Sequence, residues 1–410
     1  MSRLVLTNAT VLDGEQARLA DATVIVDGER IASVTQGAAP APQAGDAVHD
    51  VGGRVVMPGM VTCHFHSAYR ELGSRMTPLG SDEPTAYAAV VAANNLHTAL
   101  RCGYTGAIGA GVANDIDPSM KRAIDDGIIP GPRLVPASRE LSTTGHSNDN
   151  HSWWWNVPSA GGIRICDGPD EFRSGVREEI KHGAEIIKLY VTGGHGTTAP
   201  KDQIEMTRDE LAAAIDTAHS RGALIRGHIA NKEAILMSVE LGMDILDHAD
   251  EMDDECIEKI VAAGTYVVPS LYFPKHFSEN MGAGLGFGEA MKKDLEYSYE
   301  VLPKANAAGV KLLVGDDYGA VGFPHGMYGG ELSLYVDTVG IAPLDVLRWA
   351  TVNGAAAMGR GNELGAVREG YLADLLVVDG DPSTNIGVLT DPANITVIKG
   401  GDVVSGELPV

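Results

Sequence analysis

Seven times between residues 100 and 310 a helical pattern ends on a glycine, and a short β-branched or apolar run follows within a few residues. Gly103, Gly127, Gly183, Gly222, Gly242, Gly264 and Gly309 hold these positions. Glycine enters the left-handed conformation at a helix C-terminus without a Cβ penalty, so each marks where a helix stops and the chain turns back into a strand. The runs fall at 59–64, 104–109, 133–138, 184–190, 223–228, 244–248, 265–271 and 310–315. Helical patterns such as 169–182, 208–221, 232–241 and 255–263 lie between them, one opening on the capping box Thr207-x-x-Glu210. Strands that alternate with helices pair in parallel. Eight of them favour closure into a (β/α)8 barrel, a TIM barrel of the α/β class, over an open sheet.

The ends of the chain follow a different pattern. Leu4-Val5-Leu6, Thr23-Val24-Ile25-Val26 and Ile31-Ala32-Ser33-Val34 alternate around the turn signals Asp13-Gly14 and Asp27-Gly28, and Leu375-Leu376-Val377-Val378 and Val397-Ile398-Lys399 repeat the style near the C-terminus. These segments predict a small β-sandwich built from both termini, giving 1–58 and 359–410 to that unit and 59–358 to the barrel. The aperiodic stretch 141–167 reads as a functional loop.

Composition narrows the function. With 31 Lys and Arg against 55 Asp and Glu the net charge is −24, and no basic run offsets it, which excludes a nucleic-acid partner. No segment approaches the roughly 18 apolar residues of a membrane span, and the N-terminus carries no apolar signal core, so a cytoplasmic protein is expected. Cys63, Cys102, Cys166 and Cys256 lie far apart and form no CxxC pair, against a disulfide framework or a zinc ribbon.

The chemistry concentrates at strand ends. His64 and His66 close the first barrel strand two residues apart, so both imidazoles face one side and can reach one metal ion. Lys188 ends the fourth strand, His228 the fifth, His248 the sixth, and Asp317 follows the eighth. Catalytic groups of such barrels come from these carboxyl ends, which places all six on one face. A lysine there must be neutralised or modified, because a buried ammonium is costly.

In the order and spacing of these residues the chain resembles the amidohydrolase superfamily of metal-dependent hydrolases, in the branch of Xaa-Pro dipeptidases, arginine carboxypeptidases and ochratoxinase-like amidases. The resemblance runs from Val56-Met57-Pro58-Gly59 through Leu141 to His146, Thr192-Gly193-Gly194, Asp247-His248, Gly315-Asp316-Asp317 and Phe323-Pro324-His325-Gly326 to Ala373-Asp374-Leu375. It implies two divalent metal ions, with zinc expected. His64, His66 and Asp317 would hold one, His228 and His248 the other, and a carbamylated Lys188 and a hydroxide would lie between them. The implied reaction is hydrolysis of a C–N bond in a small amide, peptide-like, urea or carbamate substrate, with Asp317 moving the proton; Asp316 is the neighbouring alternative. Relatives are usually homo-oligomers.

Further residues are candidates by position. The resemblance places His146 near the scissile carbonyl. Tyr69 and Tyr190 lie just beyond the metal positions, and His325 follows the eighth strand; these three are expected at the substrate pocket. His151 and His195 are loop histidines that could contact substrate, with solvation as the default. Trp153-Trp154-Trp155 reads as a lid or a buried interface. Two departures bear on substrate: Ala230 stands where dipeptidase relatives carry a tyrosine, and Asn231 where deaminases carry a glutamate. A cyclic-amide hydrolase or deaminase is the alternative within enzymes, and a non-catalytic scaffold on the same fold the alternative outside them.

Overall fold

All seven of the punctuating glycines stand at positive φ, from +70° at Gly127 to +104° at Gly183, so the helix-to-strand turns form where the sequence places them. The computed structural model describes residues 3–15, 18–37, 41, 43–73, 83–146, 149, 152, 154, 161–195, 197, 199–280 and 286–409, with 286 and 287 by backbone alone. Helices span Pro169–His182, Arg208–Ser220, Lys232–Leu241 and Asp254–Ala263. Thr207 and Glu210 cap the second of these reciprocally, as their spacing predicts.

The N-terminal strands are β1 (Leu4–Leu12), β2 (Arg18–Asp27), β3 (Arg30–Gln36), β4 (Ala47–Asp50) and β5 (Val55–Pro58). Parallel strands follow: β6 (Met60–Phe65), β7 (Tyr104–Gly109), β8 (Arg133–Val135), β9 (Ala137–Ser142), β10 (Ile163–Ile165), β11 (Ile186–Tyr190), β12 (Leu224–Ile229), β13 (Ile245–His248), β14 (Tyr266–Val268) and β15 (Lys311–Leu312). The chain ends on β16 (Leu375–Val378), β17 (Ile395–Lys399) and β18 (Asp402–Ser405).

The parallel strands form the barrel. β6, β7 and β8 pair in that order, and β9, β11, β12, β13, β14 and β15 continue it. β8 and β9 are one barrel strand interrupted at Pro136, which has no N–H to offer a ladder. β10, inside the stretch read as a loop, adds to the free edge of β9. The ring closes where Cys63 N donates to Val314 O over 2.7 Å. The seventh and eighth strands, Tyr266–Val268 and Lys311–Leu312, are shorter than their sequence runs.

The termini combine in one continuously hydrogen-bonded set of eight strands, ordered β18-β17-β16-β5-β1-β2-β3 with β4 beside β1. Side-chain alternation gives this sheet two buried faces. Val55, Met57, Leu376 and Val378 join the barrel core, while Val56, Leu375 and Val377 pack with Leu6, Val24 and Val26 in a separate cluster. Arg133 at the start of β8 forks onto Asp374 over 2.8 and 3.0 Å and ties the barrel to the sheet. Among the described residues no helix is long and apolar enough to cross a membrane.

Candidate active site

At the end of β6 the strand alternation turns His64 and His66 inward. Their Nε2 atoms lie 3.2 Å apart, and Asp317 Oδ1 stands 3.2 Å from the first and 3.3 Å from the second. Ligand atoms held about 2.1 Å from a tetrahedral ion stand about 3.4 Å from one another, so the spacing fits three ligands around one cation. His66 Nδ1 lies 2.9 Å from Gly111 O, which only accepts, so this nitrogen carries the proton and Nε2 keeps its lone pair for the site. Tyr69 lies flat on the His66 ring at 4.0 Å, and its hydroxyl donates to the buried Glu140 over 3.1 Å. Asp316 faces elsewhere: its carboxylate accepts the backbone N–H groups of Tyr272 and Phe273 over 2.7 and 3.2 Å.

A second histidine pair sits across the barrel mouth. His228 stacks on Tyr190 at 4.7 Å, its Nε2 is 3.2 Å from Gly194 O, and its ring is 4.6 Å from that of His248. Asp247 and His248 are neighbours that would face opposite ways on a regular strand. A φ of +73° at His248 turns the backbone so that both reach the interior. His248 Nδ1 is buried without a hydrogen-bond partner among the described residues, and its ring lies 5.3 Å from that of His64. A buried unpaired imidazole nitrogen beside four other donor groups suits a metal ion. Lys188 is buried with Nζ 2.6 Å from Asp247 Oδ2.

Protonation follows burial and neighbours. Burial brings His66 down to about 4, against the pull of Asp317, and brings His146 down to about 3. Burial, then the positive charges nearby, hold His228 and His248 well below the usual imidazole value. These four rings are therefore neutral at pH 7, the form that ligates metal. Burial pushes Asp317 up, but His64 beside it outweighs that and keeps the carboxylate ionised.

His195, expected in solvent, is buried. Its side chain is 3% exposed and stacks on His248 at 3.7 Å, with Nδ1 2.8 Å from Asp250 Oδ1 and Nε2 3.1 Å from Ser270 O. A carboxylate and a carbonyl both accept, so both ring nitrogens donate and the ring is an imidazolium. Burial disfavours that charge, yet Asp250 raises the group to about 9. His195, His248 and Asp317 also stand within 4.8 Å of one another by single ligand atoms, but His195 has no lone pair left to give. His146 meets the Tyr190 ring at 4.5 Å. His325 packs on Phe65 at 5.0 Å with Nδ1 2.8 Å from Tyr328 OH, in the wall behind the first triad. His151, Trp153 and Trp155 lie outside the described residues, and Trp154 is 67% exposed.

Two polar groups escape a reading of the sequence, Arg226 and Asp250, and Asp247 enters it only as the neighbour of His248. Arg226 left a signal, since it lies two residues before His228 in an otherwise apolar strand and must share its inward face. Beside the site, Gly194, Ala199, Leu271, Met291 and Leu295 line a largely apolar cavity of about 260 Å³, with His195, Lys201, Asp250 and Asp294 as its charged residues. Ala230 is buried, and a Cβ placed on Gly194 would stand 3.0 Å from its own, so the backbone at Gly194 closes over position 230.

Comparison with known proteins agrees with this geometry. The model of the amidohydrolase family matches residues 55–404. Ochratoxinase of Aspergillus niger is 27% identical over 384 residues, spanning 86% of this chain and 76% of that enzyme. The crystal structure of a prolidase complexed with N-methylphosphonate-L-proline superposes with a TM-score of 0.88 at 29% identity, covering 99% of this chain and 100% of the other. A Xaa-Pro dipeptidase with methionine bound in its active site gives the same TM-score at 25% identity, covering 99% and 100%.

Proposed function

The chain belongs to the amidohydrolase family and hydrolyses carbon–nitrogen bonds, and from that premise we propose that it is a two-metal amidase for small amide or peptide-like substrates carrying an apolar group. The observation that carries the proposal is the convergence of His64, His66 and Asp317 at metal-ligand spacing. In this reading they would hold one ion and His228 and His248 a second, with a carbamylated Lys188 as the remaining ligand. The imidazole-rich donor set suits zinc.

The ions, when bound, supply Lewis acidity toward a carbonyl oxygen and acidify water. The chain's own groups do the rest. Asp317, ionised and partly open to solvent, takes the proton of the attacking water and returns it to the leaving nitrogen as the C–O bond forms and the C–N bond breaks. Neutral His146 donates to the carbonyl oxygen, where charge develops. The apolar cavity beside His195 takes the substrate's apolar group, and the backbone of Gly194 against Ala230 leaves no room for a substrate-holding tyrosine there.

The experiment is a panel of N-acyl amino acids, dipeptides, aryl amides, ureas and carbamates offered to the metal-loaded protein, with products identified by mass spectrometry. Cleavage to an acid and an amine is expected, with benzoyl or branched acyl groups preferred over acetyl. Full activity of Lys188→Ala, or of protein stripped of divalent metal, would refute the proposal; release of ammonia would move the enzyme to the cyclic-amide and deaminase branch.

A further inference from the structure

Beneath the histidines lies a charge network with no part in the reaction as written. Arg226 on β12 and Asp247 on β13 are both fully buried. Arg226 Nε donates to Asp247 Oδ2 over 3.1 Å, Nη2 donates to Oδ1, and Nη1 donates to Cys63 O and Gly109 O over 2.7 and 2.9 Å. The same Nη2 lies 3.1 Å from His64 Nδ1, and Asp247 Oδ1 lies 3.4 Å from it. Asp247 Oδ2 also takes Lys188 Nζ. One ion pair thus joins five barrel strands and touches two of the six metal-site residues from behind.

We infer that the Arg226–Asp247 pair is a positioning device for the metal centre, setting His64 through Nδ1 and Lys188 through Nζ. This rests on the two-metal reading above. A guanidinium is suited to the task because its planar fork meets a carboxylate and two carbonyls in fixed directions, and so sets the Asp247 oxygen that faces His64 Nδ1. Stability alone is a poor reason for the pair, since buried ion pairs are often matched or bettered by apolar groups of similar volume. With Asp247 Oδ1 facing His64 Nδ1, that nitrogen carries the proton and Nε2 keeps its lone pair, and the ring rotation on which the 3.2 Å spacing to His66 and Asp317 depends is set through the carboxylate that Arg226 holds.

The test uses Arg226→Lys, which keeps the charge and loses the fork, and Asp247→Asn, which keeps the shape and loses the charge. Arg139→Lys is the control, because it cuts the comparably buried Arg139–Glu179 pair away from the site. Metal affinity is read by competition with a chelator of known strength, alongside thermal unfolding of the metal-free protein and kcat and KM. Outer partners of metal ligands are worth about 10–100-fold in affinity, so that loss is expected in both variants, with kcat lowered and KM changed less than about threefold. The control should lose stability without losing metal. Wild-type affinity in the folded variants would overturn the inference. So would failure of both variants to fold, which would assign the pair to the fold alone. A wild-type protein that binds no divalent metal would instead sink the two-metal reading.

Discussion

Gly315→Ala tests how closely the barrel seam and the site are joined. Gly315 sits at φ +144°, and a Cβ there would stand 2.2 Å from His64 N, 2.9 Å from His64 Cβ and 3.0 Å from Cys63 N. The contacts are backbone and a Cβ, so no side chain can rotate away. Relief to ordinary contact at about 3.4 Å requires β6 and the eighth strand to separate by about 1 Å. Overpacking of this kind costs about 1–3 kcal/mol, and a non-glycine residue in this region of φ another 1–3 kcal/mol. The sum, about 2–6 kcal/mol, lowers the unfolding midpoint by roughly 2–7 °C at the transition entropy of a chain this long. The functional loss should be larger. The separation moves His64 relative to Asp317, two residues beyond Gly315, and a 1 Å misplacement near the chemistry costs about 100-fold in rate. Differential scanning calorimetry and kcat/KM on the same preparation give both numbers. An alanine variant with the wild-type midpoint and more than half its activity would show that the seam opens without disturbing the ligands, and the reasoning would fail.

Asp317→Asn keeps the shape and removes the base, so kcat should fall by about 10²–10⁴-fold; a variant keeping a tenth of wild-type kcat would take Asp317 off the proton path. Chelation should abolish activity and lower the unfolding midpoint, both restored by added zinc; activity that survives complete removal of metal would contradict the site. His195 is held at about 9 against 6.5, so its contribution is complete below about pH 6.5 and is lost as the pH rises through 9, roughly 3 kcal/mol in all. Urea unfolding of metal-free protein at pH 6 and pH 9.5 should show this difference in the wild type and lack it in His195→Asn; equal slopes would refute the imidazolium. Leu295→Trp, filling the apolar cavity, should lower kcat/KM for benzoyl substrates at least tenfold and spare acetyl ones, and equal losses for both would place the substrate elsewhere.

The elements were legible to different degrees, for physical reasons. The helix ends at Gly183, Gly242 and Gly264 follow from one residue's freedom at positive φ, and the capping box from two side chains three residues apart; both are local. The split of the third strand was legible in principle, since Pro136 lies within it. The merger of the terminal strands into one sheet was not, because β5 pairs with β16, more than 300 residues on, and nothing local encodes that partner.

By itself the sequence determined the repeat, and with it the barrel and the strand ends that carry His64, His66, Lys188, His228, His248 and Asp317, because periodicity and glycine placement act over a few residues. Tertiary structure decided how those groups are set. It turned His248 inward at φ +73°, buried His195 as a cation between Asp250 and Ser270, and put Arg226 and Asp247 behind His64 and Lys188. Each of these depends on which atoms from distant strands share a dry interior, where a donor must find an acceptor and a charge its counter-charge.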